Sequence, residues 1–106
     1  NNMIKITKYL LKENILTLFT SPSCTLCEPV KFICEKVVKD FNKKNRSENK
    51  IKFEQINIFE VEKWKQEYEY RIPVVHINNK EIWSASFNEN KLEEVKLKAI
   101  IESLES

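Results

Sequence analysis

The sequence of 106 residues contains no glycine. Loops that cradle phosphate groups, such as GxGxxG and the Walker A motif, use glycines to let the backbone approach the ligand. The common nucleotide-binding motifs are therefore excluded. Every backbone position that needs a positive φ must be occupied by Asn, Asp or another residue with a side chain. Tight turns in this chain are thus expected at asparagines.

Other scarcities exclude further classes of protein. The three cysteines are odd in number and too few for a secreted disulfide scaffold. They favour an intracellular location, the cytoplasm first and the mitochondrion as the alternative. No apolar run approaches the ~20 residues needed to cross a bilayer, and 18 Lys and Arg against 16 Asp and Glu leave no marked basic excess. We therefore expect neither a membrane nor a nucleic acid as a partner.

The remaining composition fits one compact domain. The hydrophobic content of 42% is sufficient for a single core at this length, and we expect a monomer. Residues 1–14 are basic and mildly amphipathic, so we interpret them as an N-terminal extension. Residues 15–106 carry sharper periodic signals and are interpreted as the domain.

Apolar patterns predict the elements of this domain. Short runs rich in β-forming residues predict four strands, at Ile15–Thr20, Ile51–Ile58, Pro73–Ile77 and Glu81–Ala85. The apolar positions of the second strand change from odd to even numbers, which suggests a bulge or an edge strand. Between the last two strands, Asn78-Asn79-Lys80 predicts a hairpin turn.

Helical spacing predicts three helices. The first is expected to begin between Cys24 and Leu26 and carries an apolar stripe formed by Val30, Ile33, Cys34, Val37, Val38 and Phe41. The second is marked by Val61, Trp64 and Tyr68. The third is marked by an apolar stripe, with Ile100 and Ile101 beside it, that is formed by Leu92, Val95, Ala99 and Leu104. The resulting order, β-α-β-α-β-β-α, predicts an α/β domain with a four-stranded mixed sheet and helices on both faces.

The motif that carries chemistry is the pair Cys24-Thr25-Leu26-Cys27, between the first strand and the first helix. This spacing at a helix start brings two sulfurs within disulfide reach. The free N–H groups and the positive end of the helix dipole stabilise a thiolate there. We predict that Cys24 is the exposed attacking thiol and that Cys27 is the shielded resolving thiol.

A zinc site is the alternative reading of a C-x-x-C pair. Structural zinc sites normally have four ligands, and the other candidates are Cys34, His76 and distant carboxylates. Cys34 belongs to the apolar stripe and His76 to an apolar strand, where both are more simply structural. We therefore assign no metal ligands.

The runs TLFTSPSCTLC and RIPVVHINNKEI resemble the glutaredoxin-like branch of the thioredoxin superfamily. The resemblance implies a thioredoxin-like fold and a thiol–disulfide oxidoreductase that contributes to cell redox homeostasis without a bound cofactor. It also implies that the Ile72–Pro73 peptide bond is cis and that the Ile72 backbone binds the substrate chain. The implied partners are protein or low-molecular-weight disulfides and a cellular reductant, either glutathione or the thioredoxin system.

The chain departs from glutathione-using members of that branch. Ser21 stands where they usually have lysine, Leu26 where they have an aromatic residue, and residues 83–88 (WSASFN) where they have a Gly-Gly pair and an aspartate. Glutathione therefore remains only a candidate co-substrate. The alternative function is a catalytically weak redox-sensing module, or one that binds a metal or an iron–sulfur cluster.

Arg71 immediately precedes the Ile72-Pro73 step. If the resemblance holds, its side chain is expected near the cysteines. There it could stabilise the Cys24 thiolate or bind a substrate carboxylate through its fork of donors. The other interpretation is a solvated charge at a helix end.

Overall fold

The computed structural model describes residues 14–44, 50–86 and 91–104. Within them, β1 (Asn14–Thr20), β2 (Ile51–Asn57), β3 (Val74–Ile77) and β4 (Lys80–Ser84) form one sheet in the order β2-β1-β3-β4. β1 is parallel to β2 and antiparallel to β3, which is antiparallel to β4. The predicted mixed four-stranded sheet is confirmed. The predicted N-terminal extension lies outside the described residues, except for Asn14, the first residue of β1.

Helices cover both faces of the sheet. They are α1 (Cys27–Lys44), α2 (Glu62–Tyr68) and α3 (Glu94–Ser103). A short 3-10 helix (Ile58–Glu60) lies between β2 and α2. We call the apolar cluster between the sheet, α1 and α3 the first core, and the smaller cluster beside α2 the second core. Of the helices in the described ranges, none combines the length and apolarity required to cross a membrane.

The two cores explain the change of parity in β2. Ile51 and Phe53 face the first core, whereas Ile56 and Ile58 pack in the second. The β1–β2 register is continuous, so the predicted bulge is wrong, although β2 is an edge strand as expected. The register shift of this sheet lies instead in the β3–β4 pair. Apolar residues of both parities are needed because both faces of β2 are covered.

The apolar stripe predicted for the last helix is wrong in part. Val95 is 77% exposed, whereas Leu97 and Ile101 are fully buried against the first core. The prediction counted helical turns from Leu92, but α3 begins at Glu94. The buried face of α3 is therefore formed by Leu97 and Ile101, which are four residues apart and lie on the same side of the helix. Leu92, which precedes the helix, is also buried.

The hairpin turn between β3 and β4 is built from two asparagines. Asn78 and Asn79 have φ values of 52° and 67°, the positive angles that a two-residue turn of this type requires. The Asn78 side chain also accepts a hydrogen bond from the Ile15 N–H (2.9 Å) and donates one to Asn14 Oδ1 (2.9 Å). The predicted turn is confirmed, and these bonds fix the hairpin to the start of β1.

Candidate functional site

Cys24 and Cys27 form a disulfide at the carboxyl end of β1, with their Cα atoms 5.3 Å apart. Cys24 is partly exposed, whereas Cys27 is 3% exposed. The two sulfurs therefore differ in their accessibility to solvent. An external reagent reaches Cys24 more readily than Cys27.

The chain between the cysteines is a turn rather than helix. The Cys24 N–H donates to the Ser21 carbonyl (3.2 Å) and the Cys27 N–H donates to the Cys24 carbonyl (3.2 Å). The first helix begins at Cys27, so the expected start between Cys24 and Leu26 is wrong by one residue, because these turn bonds precede the first helical turn. Cys24 consequently lies just before the N-terminus of α1, at the positive end of the helix dipole.

The Ile72–Pro73 segment lies at the same end of the sheet. Its peptide bond is cis, as the resemblance implied. Val74 pairs with Phe19 near the end of β1, which puts Pro73 beside the strand end that leads to Cys24. Pro73 is fully buried, and its carbonyl accepts a hydrogen bond from the Ala85 N–H (3.0 Å).

The two main-chain polar groups of Ile72 differ. Its N–H donates to the Tyr68 carbonyl at 3.2 Å. Within the described ranges, no hydrogen bond is made to its carbonyl oxygen.

Arg71 is directed towards β4. Its Nη2 donates to Glu81 Oε2, with which it forms a salt bridge, and to Ser84 Oγ at 3.3 Å. Its guanidinium carbon lies 5.0 Å from the centre of the Tyr68 ring. The side chain is only 19% exposed, so the interpretation of Arg71 as a solvated charge is wrong. Its charge is balanced by Glu81, a contact between distant positions that the sequence pattern did not reveal.

A hydrogen bond between Tyr68 and His76 lies in the second core. The Tyr68 hydroxyl oxygen and His76 Nε2 are 2.7 Å apart, and the aromatic rings of Phe19 and Trp64 pack around them. Burial raises the pKa of Tyr68 and lowers the pKa of His76. His76 is therefore a structural residue, as expected, but its partner was not anticipated. Tyr70, two residues after Tyr68, lies outside this cluster and is 89% exposed.

A cavity of about 400 Å³ opens beside Cys27. Its walls come from the ends of β1 and β2, the 3-10 helix and the first turns of α1, and are mostly polar: Thr20, Ser21, Pro22, Cys27, Glu28, Lys31, Gln55, Asn57 and Glu60. Asn57 caps the 3-10 helix by accepting from the Phe59 N–H (3.0 Å). The parallel β1–β2 pair brings these polar residues to the disulfide, which no local sequence motif indicated.

The third cysteine does not belong to the site. Cys34 is fully buried on α1, and burial, with a smaller contribution from Glu35, raises the pKa of its thiol to about 12. It is a core residue, as the apolar stripe predicted. In the part of the chain that the structure describes, no three His, Cys, Asp or Glu side chains are grouped to hold a metal ion.

Comparisons with solved structures show the thioredoxin-like fold. The chain is similar to oxidised thioredoxin from Plasmodium falciparum (15% identity; TM-score 0.56; 100% of this chain and 94% of that chain covered). It is similar to human ERp44 (16% identity; TM-score 0.64; 96% of this chain and 28% of that chain covered). It is also similar to the first two thioredoxin domains of Saccharomyces cerevisiae Eps1p (22% identity; TM-score 0.58; 92% of this chain and 37% of that chain covered). The chain thus spans under a third of the ERp44 chain.

The sequence itself matches one family. No curated protein matches it, but the family described as Glutaredoxin-like domain (DUF836) matches residues 15–98. That range contains Cys24 and Cys27, the Ile72–Pro73 segment and, except for Asn14, the four strands of the described residues. Together with the Cys24–Cys27 pair, the fold supports a thiol–disulfide redox role. The chain belongs to the glutaredoxin-like domain family (DUF836).

Proposed function

We propose that the protein is a thiol–disulfide oxidoreductase that uses Cys24 and Cys27. The observation that carries the proposal is the disulfide between a partly exposed and a buried sulfur, directly ahead of α1. Two cysteines that share such a position can exchange a disulfide with a substrate, since the thiolate form is favoured at a helix N-terminus.

The proposed cycle begins with the reduced protein. The Cys24 thiolate attacks one sulfur of a substrate disulfide; a Cys24–substrate bond forms, the substrate S–S bond breaks, and the released substrate sulfur takes a proton. Cys27 then loses its proton and attacks Cys24 Sγ, which releases the second substrate thiol and forms the Cys24–Cys27 disulfide. The substrate gains two electrons from the two cysteines, one proton that Cys27 loses and one proton from the solvent, which received it when Cys24 ionised.

The cycle closes when a cellular thiol reductant returns two electrons to the Cys24–Cys27 disulfide. We propose glutathione or the thioredoxin system as this reductant, and a protein or low-molecular-weight disulfide as the substrate. The Ile72 carbonyl is the proposed hydrogen-bond acceptor for an extended substrate chain next to the reacting sulfurs. No metal or bound organic cofactor takes part in these steps.

The test is an insulin-reduction assay run beside a glutathione-coupled assay, with Cys24→Ser as the variant and Cys34→Ser as the matched control. Turnover that is abolished in Cys24→Ser and retained in Cys34→Ser supports the proposal. The ratio of the two activities then identifies the reductant. Full activity of Cys24→Ser contradicts the proposal. So does purified protein that is coloured or loaded with zinc and has little reductase activity, which is the result expected of a metal- or iron–sulfur-binding module.

A further inference from the structure

We propose that Tyr68, Arg71, His76 and Glu81 form a positioning cluster that holds the Ile72–Pro73 segment in place for a substrate backbone. The inference rests on the proposed function, because it concerns how substrate chains are bound beside Cys24. None of the four residues has to touch the reacting sulfurs. They act through the main chain of Ile72.

The first link is the main chain of Tyr68. Its carbonyl accepts hydrogen bonds from the Arg71 N–H (2.9 Å) and the Ile72 N–H (3.2 Å). Tyr68 is the last residue of α2, so these bonds tie the turn after the helix to its final residue. Any displacement of Tyr68 is therefore transmitted to the peptide groups on either side of Arg71, the second of which leads into Ile72.

The second link is the side chain of Tyr68. Its hydroxyl is 2.7 Å from Nε2 of His76, which lies on β3 three residues after Pro73. This bond joins the two ends of the segment that contains Ile72 and Pro73. The Tyr68 ring also stacks on Trp64 and packs edge-on against Phe19, so rotation of the ring would disturb the second core.

The third link ties the middle of the segment to β4. Arg71 bridges to Glu81 and to Ser84 Oγ, and the Pro73 carbonyl accepts from the Ala85 N–H. The side chains of Arg71 and Glu81 are 19% and 33% exposed. They are less hydrated than the ions of an ordinary surface pair, whose contribution is usually small. The segment is thus fixed to α2, β3 and β4 at once.

This arrangement predicts selective effects on substrates that have a peptide backbone. A cysteine disulfide within a peptide would use the Ile72 carbonyl, whereas hydroxyethyl disulfide has no peptide group to donate. Loosening the segment should therefore raise KM for the peptide and leave the reaction of the small disulfide with Cys24 unchanged. A role in general stability would affect both substrates alike.

The experiment compares Tyr68→Phe and Glu81→Gln with two matched controls. Tyr70→Phe deletes the same hydroxyl from a side chain that is 89% exposed, and Glu94→Gln removes the exposed Lys36–Glu94 ion pair between α1 and α3. The measurements are kcat and KM for a cysteine-disulfide peptide and for hydroxyethyl disulfide. Urea unfolding checks that each variant is folded.

We expect kcat/KM for the peptide to fall about 3- to 10-fold in Tyr68→Phe and Glu81→Gln, the range that follows from the net worth of one hydrogen bond. The fall in kcat/KM should come from a higher KM for the peptide. Hydroxyethyl disulfide reduction should stay within about twofold in these variants, as should both reactions in the controls. Equal losses for the two substrates, no loss for the peptide, or the same loss in the controls would overturn the positioning role.

A second readout does not depend on activity. Amide hydrogen exchange at Arg71 and Ile72 should be faster in Tyr68→Phe than in Tyr70→Phe. If wild-type protein reduces neither substrate, the proposed function is wrong and the substrate role of the cluster falls with it, whereas faster exchange confined to the cluster variants still shows that the cluster fixes the main chain at Ile72. Equal exchange in all variants rejects the positioning role even if the enzyme is active.

Discussion

The different environments of the three cysteines make the order of their chemical modification predictable. The perturbation is reduction of the Cys24–Cys27 disulfide, followed by a brief exposure of the folded protein to iodoacetamide at pH 7. We expect Cys24 to be alkylated first. Cys27, which is 3% exposed, and Cys34, which is 0% exposed, should follow much more slowly.

The magnitude follows from ionisation, because the thiolate is the reacting species. A pKa of about 12 for Cys34 leaves about one thiol in 10⁵ ionised at neutral pH. A thiol at a helix N-terminus has a pKa of roughly 3.5–7.5 and is at least about one-quarter ionised. The advantage of Cys24 in thiolate fraction is thus at least about 10⁴-fold, before nucleophilicity is considered.

The higher intrinsic nucleophilicity of a more basic thiolate reduces this advantage. With a Brønsted coefficient of about 0.4–0.5, a pKa difference of about 4.5 offsets roughly 100-fold. At that difference Cys24 should still react about 100-fold faster than Cys34. At the lowest pKa of the range the difference is about 8.5, and Cys24 should still react at least about fivefold faster, an advantage that burial of Cys34 increases further.

The assay is peptide mass spectrometry after about one equivalent of label has been incorporated. Nearly all of the label should be on Cys24. Protein unfolded in guanidinium chloride is the control, and its three thiols should react at similar rates. Comparable labelling of Cys24 and Cys34 in the folded protein, or labelling of Cys27 ahead of Cys24, would refute the reasoning.

Three further predictions concern stability, each measured by urea unfolding. Burial lowers the pKa of His76. The charge of Glu81 raises this pKa by a smaller amount, and the charge of Arg71 lowers it further. The unfolded chain therefore takes up this proton first, and the wild type should lose stability from pH 7.5 to 5.5. His76→Gln should lose less; an equal loss contradicts this. Leu97→Ala should cost about 2–5 kcal/mol and the exposed Val95→Ala less than about 0.5 kcal/mol, so equal costs would refute the assignment of the buried face. Because Asn79 has a φ of 67°, Asn79→Ala should cost about 1 kcal/mol and Asn79→Gly nothing; the opposite order would refute the turn geometry.

Local patterns were sufficient for most elements of the fold. The apolar run of β1, the stripe of α1 and the asparagine turn each depend on neighbouring residues, so the sequence alone predicted them. The parity change in β2 left a bulge and an edge strand as alternatives, of which the edge strand is confirmed, because the pattern of one strand does not reveal that both sheet faces are covered. The stripe of α3 was misassigned because it depends on where that helix begins.

In the candidate site, too, the local features could be predicted from the sequence and the long-range contacts could not. The Cys24–Cys27 pair follows from its spacing, and the cis Ile72–Pro73 bond was implied only by resemblance. The partners of Arg71, Tyr68 and His76 come from elements that meet only in the folded chain, through the β3–β4 register and the docking of α2. Long-range pairs of this kind leave no signal in a single sequence.

Trapping of the mixed disulfide identifies which of the two cysteines attacks the substrate. Reduced Cys27→Ser protein is incubated with a disulfide-containing peptide, and the covalent adduct is located by mass spectrometry. We expect a stable adduct on Cys24, since no second thiol is in place to release the peptide. Cys24→Ser should form no comparable adduct. An adduct that forms on Cys27 of the Cys24→Ser variant as readily, or none on Cys24, would contradict the assignment of Cys24 as the attacking thiol.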